Sequence, residues 1–104
     1  WLDDDDPALA KRFAKAAYHT YFGEGRDITD PETVAGLAGP LGIDPGALLT
    51  AVRDPAIKQR LKDETNTAIG NGVFGSPFIV IDGEPFWGAD RLWMIRRWLK
   101  SGGW

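Results

Sequence analysis

Apolar residues recur at helical spacing through the first seventy positions of the chain. This periodicity predicts four helices, which run from about Pro7 to Phe22, Pro31 to Ala38, Pro45 to Val52 and Pro55 to Gly70. An Asp precedes the opening proline of each helix. Its side chain is expected to accept hydrogen bonds from unpaired amides of the first turn, and proline suits the first helical position because it has no N–H to lose.

The same spacing predicts which side chains the helices bury. Charged residues occupy the opposite faces, as is typical of amphipathic helices at a protein surface. The residues expected to face inward are Leu9, Phe13, Ala16 and Ala17 in the first helix, Leu48, Leu49 and Val52 in the third, and Ile57, Leu61, Ala68 and Ile69 in the fourth.

The pattern changes after the Gly-rich end of the fourth helix. Phe78 to Ile81 is an almost continuous apolar run, which predicts a short strand covered on both faces. Asp82-Gly83 predicts a tight hairpin turn, and the returning strand Glu84 to Trp87 is confined to a sheet edge by its proline. A last helix is predicted from about Ala89 to Lys100, with Leu92, Ile95 and Leu99 on one face and Met94 and Trp98 on another.

These elements predict an α/β chain that is mostly helical, with a helical region at residues 1–70 and a hairpin-helix segment at residues 71–104. Two strands do not form an independently stable sheet. Either strands outside this chain complete the sheet, or identical chains pair through the exposed strand or exchange elements. Trp87 and Trp93 are expected to be exposed, which favours a homodimer or a swapped oligomer.

Composition narrows the classes of function. A net charge of −3 disfavours nucleic acid as the main partner, and the ordinary hydrophobic content of 43% indicates a globular chain. We interpret the cations of the last helix as complements of its dipole, rather than as a phosphate-binding stripe. These cations are Arg91, Arg96, Arg97 and Lys100. No apolar run is long enough to span a membrane, so the cytoplasm is the expected compartment.

Metal and redox chemistry have little support in the sequence. The chain has no Cys, which excludes a C-x-x-C pair and thiolate metal ligands within it. His19 is the single His and is interpreted as a surface or packing residue. We interpret the acidic run Asp3 to Asp6 as a solvated approach that favours the start of the first helix, so no metal site is predicted.

The densest motif lies between Gly72 and Arg91. Pro77 stands at the mouth of the first strand, where it donates no ladder hydrogen bond, and the Ser76-Pro77 bond is a candidate for a cis peptide. The segments G-V-F-G-S-P and F-W-G-A-D-R resemble the C-terminal segment of the 2-hydroxychromene-2-carboxylate isomerases. These enzymes are relatives of the kappa-class glutathione transferases in the DsbA-like branch of the thioredoxin superfamily.

The resemblance implies the C-terminal part of a DsbA-like thioredoxin fold, made of a helical insertion, a β-hairpin and a final helix. Family members begin with a strand-helix-strand unit, which is expected to be absent from this chain. The Ser that activates the thiol in the family lies on that unit, so no catalytic residue is assigned here. The chain alone is accordingly expected to be inactive.

The resemblance also implies a cofactor, glutathione, and residues that bind it. In the family the cysteinyl backbone of glutathione hydrogen-bonds to the residue before the proline, which is Ser76 before Pro77 here. The pair that opens the last helix, Ala89 and Asp90, is expected to hold the γ-glutamyl end, with the carboxylate facing the α-ammonium. Two aromatic residues, Phe86 and Trp87, either line the pocket for an aromatic substrate or serve in packing.

The implied activity is the glutathione-dependent isomerisation of 2-hydroxychromene-2-carboxylate to the ring-opened trans-benzylidenepyruvate, in which the former ring oxygen is a hydroxyl on the aromatic ring. This is a step in naphthalene-type aromatic catabolism. The thiolate adds to the ring-opened substrate, permits rotation about the former double bond, and then leaves. One alternative is a kappa-like glutathione transferase or a DsbA-like thiol-disulfide oxidoreductase. Another is a non-catalytic helical fragment or a swapped oligomer.

Overall fold

A computed structural model of the chain describes all 104 residues and contains six α-helices and one antiparallel pair of strands. The helices are α1 Leu2–Asp5, α2 Pro7–Tyr18, α3 Pro31–Gly36, α4 Pro45–Arg53, α5 Pro55–Gly70 and α6 Leu92–Ser101, and the strands are β1 Phe78–Ile81 and β2 Glu84–Trp87. The chain divides into two compact units, an N-terminal unit of Trp1–Lys62 and a C-terminal unit of Asp63–Trp104.

All four predicted Asp-Pro helix starts are confirmed. Each carboxylate accepts a hydrogen bond from a main-chain amide of the first turn at 2.8–3.0 Å, so orphan donors are satisfied as expected. The pairs are Asp6 with Leu9, Asp30 with Thr33, Asp44 with Gly46 and Asp54 with Ala56.

The cap of α3 predicts a pH dependence of stability. The Thr33 hydroxyl and amide donate to Asp30 and lower the pKa of that carboxyl below its ordinary value of 3.8. Because the folded-state pKa is depressed, the stabilisation is complete above the unfolded-state pKa and is lost as the pH falls through the folded-state value. Asp30→Asn tests this, because Asn keeps a capping oxygen but does not titrate. Acid denaturation followed by circular dichroism between about pH 4 and 2 is the measurement. We expect the stability of the variant to fall less steeply with decreasing pH than that of the wild type.

A neutral-pH comparison separates the titration of Asp30 from loss of the cap. Asp30→Asn is expected to retain nearly wild-type stability at pH 7, since Asn caps a helix about as well as Asp. Asp30→Ala is expected to be less stable at the same pH. An unchanged acid slope in Asp30→Asn would contradict a contribution from this carboxyl.

The start of the chain differs from its predicted form. The acidic run is exposed, as expected of a solvated approach, but it also forms a one-turn helix, α1, with Asp3, Asp4 and Asp5 in its first turn. Carboxylates are favourable there because they face the positive end of the helix. The Arg60 guanidinium lies 2.8 Å from the Asp4 carboxylate and forms an exposed ion pair with it.

The end of the first long helix also differs. The helix was predicted to run to Phe22. In the structure the α-helix ends at Tyr18 and is followed by a π-helical turn, His19–Gly23. The exposed His19 imidazole lies 3.5 Å from the Glu24 carboxylate, which confirms the prediction of a surface residue.

The core of the N-terminal unit forms where α2, α4 and the segment after α3 meet. Ala38 is completely buried, and Ile43 and Leu48 pack with it. Leu9 and Phe13 lie against this cluster, which confirms the predicted stripe of α2. The prediction for Val52 is wrong, because its side chain is exposed.

Helix α5 has the predicted limits but not the predicted burial. Leu61 and Ile69 are exposed, and Ile57 and Ala68 are only half-buried. Periodicity identifies residues that share a helix face, whereas burial requires a second element over that face. The predicted boundary between residues 70 and 71 coincides with the end of α5, whereas the boundary between the two compact units falls between Lys62 and Asp63, inside this helix.

The hairpin has the predicted strands and turn. Phe78 pairs with Trp87 and Ile79 with Phe86, so each pair lies on one face of the sheet. The turn residues Asp82 and Gly83 both have positive φ, 53° and 83°, as expected for a two-residue turn of this sequence.

Helix α6 covers one face of the hairpin. Phe86 is 3% exposed and its ring lies 5.9 Å from that of Trp98, centroid to centroid. The Trp98 indole N–H donates to the Asp82 carboxylate at 3.1 Å, which ties the helix to the hairpin turn. Ile95 of α6 is also buried. Ile79 shares this covered face, because it pairs with Phe86 across the two strands.

The other face of the hairpin is open. Val80 is 56% exposed, so the prediction that the first strand is covered on both faces is wrong. The exposure of Trp87, on the same face, was predicted and is confirmed. β1 also keeps one unpaired edge. Pairing of identical chains through this strand remains a prediction.

Candidate functional site

The loop before β1 presents unpaired main-chain groups. The Ser76-Pro77 peptide bond is cis. Ser76 is exposed, and neither its N–H nor its C=O takes part in a backbone hydrogen bond. An extended ligand can therefore use both groups, as an added strand does.

One hydrogen bond joins this loop to the start of the last helical segment. The Gly88 amide donates to the Pro77 carbonyl at 3.0 Å and extends the hairpin ladder by one bond. Gly88 has a φ of 106°, a conformation that favours glycine. Because Ala89 and Asp90 follow directly, the structure brings the predicted residues of the loop and of the helix start to the same end of the hairpin.

The helix start has free donors beside an exposed carboxylate. A 3-10 turn, Ala89–Arg91, precedes α6, and the amides of Ala89 and Asp90 donate to no main-chain carbonyl. The Asp90 side chain is 79% exposed, and its nearest cation is the Arg91 guanidinium at 3.8 Å. Such an exposed ion pair is weak. The carboxylate can therefore exchange this neighbour for a cation on a ligand.

Gly75 is required by a close approach that the sequence does not reveal. A Cβ at this position would lie 2.3 Å from Nε1 of Trp87. The centroid of the Phe74 ring lies 5.2 Å from that of Trp87 and 5.2 Å from that of Phe78. The nearest neighbour of Gly75 in the structure is therefore the Trp87 indole. The G-x-P motif identified Gly75 as a special position, but it did not indicate that Trp87 contacts it.

The two aromatic residues predicted to line a substrate pocket occupy opposite faces of β2. Trp87 lies on the open face, whereas Phe86 is buried under α6. A small cavity of 200 Å³ is lined by both residues together with Arg91, Met94 and Trp104. Phe86 thus has a packing role in the structure, and substrate contact by either residue remains a prediction.

The donor set suits a zwitterionic, peptide-like ligand better than a metal. Two free amides and an exposed carboxylate can bind a carboxylate and an ammonium on one molecule. No group of three His, Asp or Glu side chains is arranged to hold a metal ion. No helix is both long and apolar enough to cross a membrane.

Asp4, Asp27 and Asp30, whose pKa values are lowered, all lie in the N-terminal unit. Hydrogen bonds from Arg60, Thr29 and Thr33, respectively, are the main causes. These carboxyls belong to local turns, helix starts and an ion pair, so they add no acid or base to the candidate site.

Curated proteins related to this chain are enzymes of two kinds. The chain is 38% identical over 90 residues to a 2-hydroxychromene-2-carboxylate isomerase from Sphingobium xenophagum, covering 86% of this chain and 46% of the relative. It is 32% identical over 89 residues to a protein of the same name from Pseudomonas putida, covering 85% and 43%. It is 30% identical over 103 residues to glutathione S-transferase kappa 2 from Caenorhabditis elegans, covering 92% and 46%.

The chain therefore spans less than half the length of these relatives. A family model described as a DSBA-like thioredoxin domain matches residues 2–100, nearly the whole chain. The cis-proline loop and the hairpin that follows it lie within that match. This confirms the family predicted from the motif block: the chain belongs to the DSBA-like thioredoxin domain family.

Proposed function

We propose that this chain provides the glutathione-binding part of an enzyme that isomerises 2-hydroxychromene-2-carboxylate. The observation that carries the proposal is the hydrogen bond from Gly88 to Pro77. Because of it, the unpaired main chain of Ser76 lies at the same end of the hairpin as the free amides and carboxylate at Ala89 and Asp90. The isomerases among the relatives support the choice of reaction.

Two parts of glutathione, the central cysteinyl residue and the γ-glutamyl end, have counterparts in this arrangement. The N–H and C=O of Ser76 pair with the cysteinyl main chain, in the manner of a strand added to a sheet. The amides of Ala89 and Asp90 bind the γ-glutamyl carboxylate, and the Asp90 side chain pairs with the α-ammonium. When bound, glutathione supplies a thiol that can add reversibly to a carbon-carbon double bond.

The two kinds of relatives favour two reactions at the same site. Kappa-like glutathione transfer is the second candidate, because a kappa transferase matches 92% of this chain. Disulfide exchange has no thiol in the chain to support it. Since no residue of the chain is assigned to activate the thiol, we expect purified chain to bind glutathione but to turn over neither the chromene nor a transferase substrate.

The role of Asp90 predicts a selective loss of affinity for glutathione. In Asp90→Asn the carboxamide cannot form an ion pair with the α-ammonium, so we expect glutathione to bind at least about five-fold more weakly. The measurement is an amide NMR titration of labelled chain, which follows the signals of Ser76 and Ala89. Asp5→Asn, which removes another exposed carboxylate, in α1, is the matched control and is expected to bind as wild type.

The ligand offers a second control. Cysteinylglycine lacks the γ-glutamyl group, so the wild type and Asp90→Asn should bind it equally. Equal affinity of the two proteins for glutathione itself would refute the role of Asp90. Absence of any shift at Ser76 with glutathione, in a folded sample, would overturn the proposed site as a whole.

A further inference from the structure

The outward face of α6 carries a feature that the glutathione site does not use. Trp93, Arg96, Arg97 and Lys100 are spaced i, i+3, i+4 and i+7 and form one stripe, the Trp93 stripe. On the other side of the helix, Trp98 packs against Phe86 of the hairpin and Ile95 is buried. The fold therefore holds the helix in place through its inner face and leaves the stripe at the surface.

Trp93 is an exposed aromatic with free ring faces. It is 61% exposed, and it contacts no other aromatic ring, unlike Trp87, Trp98 and Trp104. A shallow cavity of 350 Å³ is lined by Trp93, the three cations of the stripe and Ser101. A second cavity of 280 Å³, on the Leu92 side of the indole, is also lined by Trp93 and Arg96.

The cations of the stripe have no anionic partners. Arg26, Arg60 and Arg91 each form an ion pair with a carboxylate, whereas Arg96 and Arg97 form none. Every charged side chain after Asp90 is cationic, in a chain whose net charge is −3. Complementing the helix dipole does not explain this cluster, because the dipole acts over the last turn and only Lys100 lies there.

We propose that the Trp93 stripe binds small aromatic carboxylates. The aromatic ring of the ligand stacks on the indole, and its carboxylate is held by the guanidinium of Arg96 or Arg97, one helical turn or about 5.4 Å further along. A ring with an attached carboxylate spans this separation. A long polyanion fits less well, since beyond the stripe it meets a chain of net negative charge.

The test is a titration of the labelled 104-residue chain with 2-naphthoate, followed at the Trp93 indole N–H signal, which Trp93→Phe identifies among the five tryptophans. We expect saturable shifts with a dissociation constant on the order of 1 mM, as is typical for a small ligand in a shallow site. Neutral 2-naphthamide and non-aromatic cyclohexanecarboxylate should each bind at least about five-fold more weakly. An oligothymidylate serves as the long polyanion, and we expect it to bind no more tightly than 2-naphthoate.

Variants separate the stripe from general charge. Trp93→Ala and the double variant Arg96→Gln/Arg97→Gln are each expected to weaken 2-naphthoate binding at least about five-fold. Arg12→Gln, an exposed cation of α2, should leave the affinity unchanged. All four substituted positions are exposed, and amide spectra verify folding.

Several results would overturn the proposal. These are equal binding of 2-naphthamide, unchanged affinity in the double variant, and tighter binding of the oligothymidylate than of 2-naphthoate. The inference does not rest on the proposed function. Shifts confined to Ser76 and Asp90 would place the aromatic anion at the glutathione site and reject the stripe, whereas failure of glutathione to bind would leave the stripe unaffected.

Discussion

Replacing Phe86 with alanine is expected to lower the free energy of unfolding of the C-terminal unit by about 3–5 kcal/mol. The ring is almost completely buried between β2 and α6, where it contacts Trp98 and Trp104 at centroid distances of 5.9 and 6.0 Å. Removing it leaves a cavity and separates the hairpin from the helix that covers it. A loss of this size approaches the total stability of many small domains.

Hydrogen exchange measured residue by residue can assign the loss caused by Phe86→Ala to one unit. The Ile81 amide, in β1, is expected to lose most of its protection from exchange. The Leu48 amide shows whether the substitution also destabilises the N-terminal unit. Phe22→Ala, the same change at an exposed ring, should alter stability little. Retained protection at Ile81 in Phe86→Ala would show that the hairpin does not depend on this contact.

Replacing Gly75 with alanine is expected to displace the cis-proline loop and to weaken glutathione binding about ten-fold or more. The new Cβ lies where the Trp87 indole now is, at 2.3 Å from Nε1, so either the ring or the loop must shift. Overpacking of this kind destabilises by about 1–3 kcal/mol. Ser76, which presents its main chain to the ligand in our proposal, is the next residue and moves with the loop.

Two measurements test Gly75→Ala. The indole N–H signal of Trp87 reports displacement of the loop, and a glutathione titration reports the loss of affinity. Gly70→Ala is the matched control, because a Cβ there meets nothing within 4 Å, and it is expected to bind as wild type. A double variant, Gly75→Ala/Trp87→Ala, removes the clash and should recover the loop geometry, so the two substitutions are non-additive. An unshifted Trp87 signal in Gly75→Ala would contradict the close approach.

Much of the local structure could be predicted from residues near one another in the chain. The Asp-Pro pairs located four helix starts because capping involves residues at most three positions apart. The turn at Asp82 and Gly83 followed from the conformations that those two residues tolerate. The strand limits followed from the apolar run and from Pro85. The π-helical turn after Tyr18 had no such local signal and was missed.

The candidate site could be predicted only in part. The motif block indicated Ser76, Pro77, Ala89 and Asp90, but their proximity depends on a hydrogen bond between Gly88 and Pro77, eleven positions apart. The contact of Trp87 with Gly75 joins residues twelve positions apart. Neither follows from periodicity, because each is set by how the loop meets the end of the hairpin.

The sequence by itself determined the four helix starts at the Asp-Pro pairs, the two strands, the hairpin turn and the family. Tertiary structure alone decided which apolar faces are covered: α6 packs over Phe86 and leaves Val80 open, and Leu61 and Ile69 of α5 remain exposed although their spacing suits a core. The physical reason is that capping and turn formation depend on a few adjacent residues. Burial, in contrast, depends on whether a distant element reaches the same face.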